Sequence, residues 1–327
     1  MNHIGKILLA LAPDRVPPHA IERISAAGGG REVLVKSGKA EIESALEGAL
    51  EDVEIVAGDF PASLLAGMPG LKWFQLWYAG ADWLQKIPGA QDLPVIITSA
   101  SGVHGEQMTE HLFGLLFAWN RKFPRAFAAQ ARHEWAAFTH AEMSTLSGKT
   151  MLILGYGTIG ERVAIAAEAF GMTAVGVRRN PPNAGSNERR VEAYSSLPGL
   201  LAEADVVVNI LPYTAETRAL IGKREFATMK RTALFANIGR GMTVDEAALA
   251  EAVRSGTIAG AVLDVTVEEP LAESSPLWDL PNVILTSHYS GFHPRYDELA
   301  LGVFLDNLGR YVRGEELRNV VDKKLGY

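Results

Sequence analysis

Residues 150–177 read TMLILGYGTIGERVAIAAEAFGMTAVGV. The apolar run Thr150–Leu154 has the length and bulk of a buried strand, residues 161–170 have helical spacing, and residues 174–177 begin a second strand. Between the first strand and the helix sits Gly155-Tyr156-Gly157-Thr158-Ile159-Gly160, a G-x-G-x-x-G turn. In such a turn the first glycine allows a tight bend, the second lets a pyrophosphate approach the backbone, and the third lets helix and strand pack closely. Three glycines in an ordinary turn would need strand, helix and spacing to coincide by accident. The stretch predicts a dinucleotide-binding βαβ unit with Gly155, Gly157, Thr158, Ile159 and Gly160 at the phosphates.

NAD-binding units of this kind place an acidic residue at the end of the second strand, where it accepts hydrogen bonds from ribose hydroxyls. Here Arg178 and Arg179 occupy that place. Two guanidiniums suit a 2′-phosphate, so the sequence predicts NADP(H) in preference to NAD(H); the plainer alternative is a pair of solvated arginines before a loop. Gly148-Lys149-Thr150 imitates the end of a P-loop, but Met143 stands where the first glycine belongs and the triplet precedes its strand.

Working outward, short apolar runs alternate with helical segments on both sides of this unit. Residues 6–11, 32–35, 53–56 and 95–98 form one strand series, and Trp73 and Phe74 fall in a strand-like run. Thr150–Leu154 and residues 174–177, 206–210, 233–237, 259–263 and 283–286 form a second series of six, a full doubly wound set. Residues 107–130 carry Met108, Leu112, Leu115, Leu116 and Trp119 on one face and predict a helix bridging two domains. Residues 296–312 predict a closing helix returning to the first domain, and Gly28-Gly29-Gly30 a turn before a strand.

A length of 327 residues, at roughly 150 per domain, agrees with two domains, and 48% hydrophobic residues fill two cores. A net charge of −7 gives no field for nucleic acid. The absence of cysteine excludes disulfides and thiol chemistry, and no histidine spacing matches a metal site, so no metal is expected. No apolar run approaches the roughly 18 residues a membrane helix needs, and residues 7–12 lack the flanks of a signal peptide. The expectation is a cytoplasmic protein with neither membrane nor nucleic-acid partners.

The second strand series ends in groups suited to 2-oxo acid reduction, which needs a cation for the carboxylate, a proton donor for the developing alkoxide and an anion to keep that donor protonated. Asn237-Ile238-Gly239-Arg240-Gly241, Leu263-Asp264 with Glu268-Glu269-Pro270, and Thr286-Ser287-His288 each follow a strand, at the carboxyl edge where open α/β sheets bind ligands. Taken singly, each residue is as readily a solvated or structural group. Their coincidence on successive strand ends is what points to chemistry.

With these motifs and Ala204-Asp205-Val206-Val207-Val208-Asn209-Ile210-Leu211-Pro212, the chain resembles the D-2-hydroxyacid dehydrogenase family over essentially its whole length. The resemblance implies an α/β fold of two doubly wound parallel-sheet domains. A Rossmann cofactor domain, residues 102–291, would be inserted into a flavodoxin-like substrate domain, residues 1–101 and 292–327. It implies that Arg240 binds the substrate carboxylate and keto oxygen, that His288 is the acid/base, and that Glu269 pairs with His288, Glu268 being the adjacent competitor. Ala79 and Gly80 would offer backbone amides to the carboxylate, with Tyr78 beside them. Leu211, Pro212, Thr217, Ile238 and Ser290 would line the cofactor, and Asp264 would face the nicotinamide carboxamide. A homodimer formed through residues 107–130 is implied as well.

The implied activity is NADPH-dependent reduction of a small 2-oxo acid such as glyoxylate or hydroxypyruvate to the D-2-hydroxy acid. Trp73, Phe74, Trp77, Tyr78 and Trp83 crowd the presumed carboxylate loop, which keeps bulkier aromatic or branched 2-oxo acids as an alternative; core packing is the simpler account of Trp73 and Phe74. A dinucleotide-sensing, corepressor-like protein is the other alternative, disfavoured because no Pro- or Ser-rich arm follows Val312. Formate oxidation is disfavoured by Glu269, where formate dehydrogenases of the family are expected to carry Gln. His104 and His293 are candidate pocket-edge groups.

Overall fold

Strands buried on both faces pair in parallel because each crossover lays a helix over one face or the other. The computed structural model describes residues 4–46, 48, 50–87, 89–181 and 189–327 and contains two such sheets. The chain divides into one unit running up to Val103 and resuming at His293–Tyr327, and a second comprising His104–Phe292.

The first unit orders β1 (Lys6–Ala10), α1 (Ala20–Ala27), β2 (Val33–Lys36), α2 (Lys39–Leu46), β3 (Val53–Gly58), β4 (Trp73–Leu76) and β5 (Ile96–Thr98). The strands lie β2-β1-β3-β4-β5, all parallel, the flavodoxin-like order. Alternation along the strands sends Ile7, Leu9, Ile55 and Trp73 to one face, under Ile24 of α1 and Leu301, Phe304 and Leu308 of the closing helix Tyr296–Arg313. Leu8, Val56, Phe74 and Ile97 line the other face. β4 interrupts its apolar pattern with Gln75, fully buried yet satisfied: it accepts from Thr98 Oγ1 at 2.7 Å and donates to the Leu76 carbonyl at 2.9 Å. Trp73, Phe74 and Trp77 are 0% exposed, so most of the aromatic cluster is core.

The second unit contains α3 (Gly105–Asn120), α4 (Phe123–Ala131), β6 (Thr150–Leu154), α5 (Thr158–Ala169), β7 (Thr173–Val177), β8 (Arg190–Glu192) and α6 (Leu197–Glu203). It continues with β9 (Val206–Asn209), α7 (Lys223–Thr228), β10 (Leu234–Asn237), α8 (Glu246–Arg254), β11 (Gly260–Leu263) and β12 (Val283–Leu285). Its parallel sheet runs β12-β11-β10-β9-β6-β7-β8 and reverses direction of growth between β6 and β9. Met151, Ile153, Val206, Val208, Leu234 and Ala236 face one core, while Leu152, Leu154, Val207 and Phe235 face the other.

Two sequence expectations are corrected here. The sheet has seven strands where six were expected: the short edge strand Arg190-Val191-Glu192 has no apolar run to reveal it, and its pairing with β7 is what makes it a strand. The expected single helix over residues 107–130 is two, because the chain breaks at Arg121–Lys122, where Lys122 takes φ 58° and α4 restarts with Pro124 in its first turn.

Candidate active site

The three fingerprint glycines differ in what a side chain would meet. Gly155 has φ 96°, and a β-carbon there would lie 2.7 Å from the Ile210 carbonyl oxygen, so only glycine lets the turn pass against the end of β9. A β-carbon on Gly160 would lie 2.9 Å from the Gly155 carbonyl, which sets the close approach of α5 to its strand. At Gly157 a β-carbon would meet nothing within 4 Å; it would project into open space at the start of α5. The first-turn amides of Thr158, Ile159 and Gly160 lack carbonyl partners within their own helix, and with the positive end of the helix dipole they suit a pyrophosphate. The open cradle at an exposed Gly157 and Thr158 fits a dinucleotide.

Arg178 and Arg179 follow β7 directly. The Arg178 amide joins the backbone of Glu192 at 3.1 Å while its side chain is exposed. Arg179 donates to Glu216 Oε2 at 2.6 Å. Leu211 and Ile238 are 1% exposed and form the floor at the ends of β9 and β10. Thr217 is 6% exposed, and its hydroxyl donates to the Pro212 carbonyl at 2.7 Å while accepting from the Thr214 amide at 2.8 Å. It braces the loop that presents Leu211 and Pro212.

Two buried asparagines that sequence reasoning passed over shape the next loop. Asn209 and Asn237 are register partners at the ends of β9 and β10. Asn209 Nδ2 donates to Asn237 Oδ1 at 3.1 Å and to Thr243 Oγ1 at 2.7 Å, while Asn237 accepts from the Gly239 amide at 3.1 Å and donates to the Arg240 carbonyl at 3.2 Å. Their signal in the sequence was a polar residue closing each of two consecutive apolar strands. Arg240 is half-buried and also donates to the Gly239 carbonyl at 2.9 Å. A β-carbon on Gly241 would sit 1.9 Å from the Thr266 carbonyl oxygen, so this glycine lets the Arg240 loop lie against the loop after β11.

That second loop carries Glu269, which accepts from the Thr266 amide at 3.1 Å through Oε1 and meets His288 Nδ1 at 2.7 Å through Oε2. Of the two adjacent glutamates, Glu269 is the one that reaches His288. His288 follows β12, is half-exposed, and holds φ 56°, the left-handed region. The ends of β10, β11 and β12 thus bring a cation, a carboxylate and an imidazole to the carboxyl edge of one sheet.

Asp264 is bonded closely to its own chain. It is 1% exposed, and its carboxylate accepts from Thr286 Oγ1 at 2.6 Å, the Tyr289 amide at 3.2 Å and the Ser290 amide at 3.0 Å, with the Ser290 hydroxyl bonded to it as well. Burial alone would push its pKa up, but these donors outweigh it and hold the group below the ordinary aspartate value. Its bonds to Thr286, Tyr289 and Ser290 organise the His288 loop, and Ser290, at 3% exposure, takes part through both its donors. His104, at the start of α3, lies against Gly291, whose added β-carbon would be 3.0 Å from its ring. Burial, aided by the charge of Arg240, lowers its pKa to about 4, so it is neutral near pH 7.

In the first unit, Tyr78, Ala79 and Gly80 follow β4. The amides of Ala79 and Gly80 donate to no group among the described residues, as expected of donors turned to solvent or ligand. Burial and the charges of Asp59 and Asp82 push the Tyr78 phenol up to about 12. Trp83 packs on Phe74 at 6.4 Å, which leaves Tyr78 the more exposed aromatic of the loop. Sequence reasoning missed Arg15, which pairs with Asp59 and, at 2.7 Å, with Asp297, itself 2.9 Å from Trp77 Nε1. His293 accepts from the Arg295 amide at 3.0 Å and shapes the turn into the closing helix. Among the described residues no cluster of His, Asp or Glu could hold a metal, and no helix is long and apolar enough to cross a membrane.

A nucleotide cradle at a sheet's reversal point, with cation, carboxylate and imidazole on neighbouring strand ends, defines a dinucleotide-dependent dehydrogenase. A family model described as "D-isomer specific 2-hydroxyacid dehydrogenase, NAD binding domain" matches residues 113–290. The chain is 36% identical over 269 residues to a glyoxylate reductase from Aeropyrum pernix, covering 80% of this chain and 79% of that protein. It is 33% identical over 236 residues to a D-3-phosphoglycerate dehydrogenase from Methanocaldococcus jannaschii, covering 72% of this chain but only 45% of that longer protein. Among solved structures, a D-isomer specific 2-hydroxyacid dehydrogenase from Xanthobacter autotrophicus in complex with NADPH and MES has TM-score 0.83 at 30% identity, covering 99% of each chain. An NADPH-dependent glyoxylate/hydroxypyruvate reductase from Sinorhizobium meliloti, in complex with NADP and sulfate, has TM-score 0.80 at 26% identity, covering 99% of this chain and 100% of that one. The chain belongs to the D-isomer specific 2-hydroxyacid dehydrogenase family.

Proposed function

We propose that this protein reduces a small 2-oxo acid, of the glyoxylate or hydroxypyruvate kind, to the D-2-hydroxy acid at the expense of NADPH. The observation that carries the reading is the 2.7 Å contact of His288 Nδ1 with Glu269 on the sheet edge that also carries Arg240. The amides of Thr158–Gly160 would hold the pyrophosphate and Arg178 with Arg179 the 2′-phosphate, with Leu211, Pro212 and Ile238 beneath. When bound, the reduced nicotinamide supplies the hydride.

The protein's own groups account for the remaining work. Arg240 engages the substrate carboxylate and polarises the keto oxygen. An Nδ1–H donated to Glu269 leaves Nε2 as the nitrogen that delivers a proton to the developing alkoxide. The glyoxylate reductase from Aeropyrum pernix and the NADPH-dependent reductase from Sinorhizobium meliloti support the choice of acid and cofactor.

The test is His288→Ala. Loss of the acid is expected to lower kcat by about 10²- to 10⁴-fold while the NADPH dissociation constant stays within about twofold. Turnover equal to that of the parent protein would remove His288 from the mechanism.

A further inference from the structure

His111 lies on α3 and takes no part in the chemistry above, yet it faces the loop that carries His288. Its Nε2 is 3.0 Å from Thr286 Oγ1 and 3.5 Å from Asp264 Oδ1. Thr286 Oγ1 is in turn 2.6 Å from Asp264 Oδ1.

The directions of these bonds follow from what each group can do. An ionised carboxylate only accepts, so the threonine hydroxyl proton points at Asp264. The hydroxyl oxygen then has only lone pairs to offer His111, and Nε2 must carry a proton. Burial holds the His111 pKa below its ordinary value despite the nearby Asp264 charge, which favours the neutral ring with that proton on Nε2. The edge-on Tyr289 ring, 5.0 Å away at 89°, packs against the same imidazole.

The chain of donors therefore runs from His111 through Thr286 to Asp264, and Asp264 gathers the rest of the loop. Its carboxylate takes the Tyr289 and Ser290 amides, and its carbonyl takes the His288 amide at 2.8 Å. His288 sits at φ 56°, a left-handed conformation uncommon for residues bearing a β-carbon.

We propose that His111 is a positioning residue for His288: by donating to Thr286 it ties the Asp264-centred loop to α3 and holds the His288 backbone in its left-handed turn opposite Glu269. The kinetic part of this inference rests on the reductase reading; the geometric part does not.

The test compares His111→Leu, His111→Gln and Thr286→Val with the parent protein, measuring glyoxylate kinetics with NADPH, NADPH affinity by fluorescence, and the titration of the His288 ring by NMR of histidine-labelled protein. The expected result for His111→Leu is kcat lowered about 10- to 100-fold, NADPH affinity within about twofold, and a shifted His288 titration. His111→Gln, which keeps a side-chain N–H donor, is expected to recover most of the rate. Thr286→Val should match His111→Leu, and the double variant should be no worse than either single, because both break one chain. Unchanged kcat and His288 titration in His111→Leu would overturn the proposal, as would a His111→Gln as impaired as His111→Leu, or losses that multiply. If the parent protein reduces none of glyoxylate, hydroxypyruvate and phenylpyruvate, the reductase reading fails, while the His288 titration still decides this one. Should His111→Leu not fold, Thr286→Val and His111→Gln decide it in the same way.

Discussion

At the scale of single residues, the fingerprint glycines separate folding from binding. Gly155→Ala forces a β-carbon onto the Ile210 carbonyl at a positive φ, and a loss of about 1–3 kcal/mol of stability is expected. Gly157→Ala puts its methyl into open space, so the melting temperature should hold while NADPH affinity falls by about tenfold or more. Thermal unfolding and fluorescence titration of the two variants check this contrast; equal melting temperatures, or equal affinities, would contradict it. Replacing Arg178 and Arg179 by Ala is expected to weaken NADPH by about 10- to 100-fold and leave NADH within about threefold, read by the same titration. All these positions stood out in the sequence because the chemistry proposed for them is local. The bonding of Asp264 to its own loop did not: a carboxylate at a strand end looks the same whether it faces a ligand or its own chain. Only the fold shows that Thr286, Tyr289 and Ser290 turn back onto it.

At the scale of elements, strands with apolar runs announced themselves and strands defined by pairing did not. β8 is Arg-Val-Glu on a sheet edge, and β4 hides a buried glutamine whose partners, Thr98 and Asn307, lie far along the chain. The break between α3 and α4 turns on one left-handed lysine, which propensity does not foresee. The start of α3 carries a pH signature. His104 titrates near pH 6.5 in the unfolded chain and at about 4 in the folded one. Between those values the unfolded state binds a proton that the folded state refuses, so stability is full above about pH 6.5 and declines as the pH falls towards 4. Asp264, with its folded pKa depressed, adds a further loss below its ordinary value of 3.8. Urea denaturation at pH 7.5, 5.5 and 4.5 should show the first decline, and His104→Gln should flatten it; a parallel decline in that variant would assign it elsewhere.

At the scale of the whole molecule, the strand order of the seven-stranded sheet gives the functional address, the carboxyl edge of β9 to β12 beside the reversal point. The proposed catalytic set was readable because three unrelated residue types fell on successive strand ends. What held them there was not readable, since Asn209, Asn237 and Gly241 act through contacts between loops separated in sequence. A homodimer belongs to the proposed reading: Phe123 and Phe127 of α4 are 40% and 62% exposed, and Trp135 beyond it is 99% exposed. Light scattering should give about twice the 35.3 kDa chain mass, and a monomer would contradict the dimer. The central claim, NADPH-dependent reduction of a small 2-oxo acid, is tested most directly by kcat/KM for glyoxylate, hydroxypyruvate and phenylpyruvate with NADPH and with NADH. The account predicts the highest value for a small acid with NADPH, by about tenfold or more over NADH. A preference for NADH or for phenylpyruvate would contradict the assigned cofactor or acid, and no turnover with any of them would contradict the enzyme reading itself.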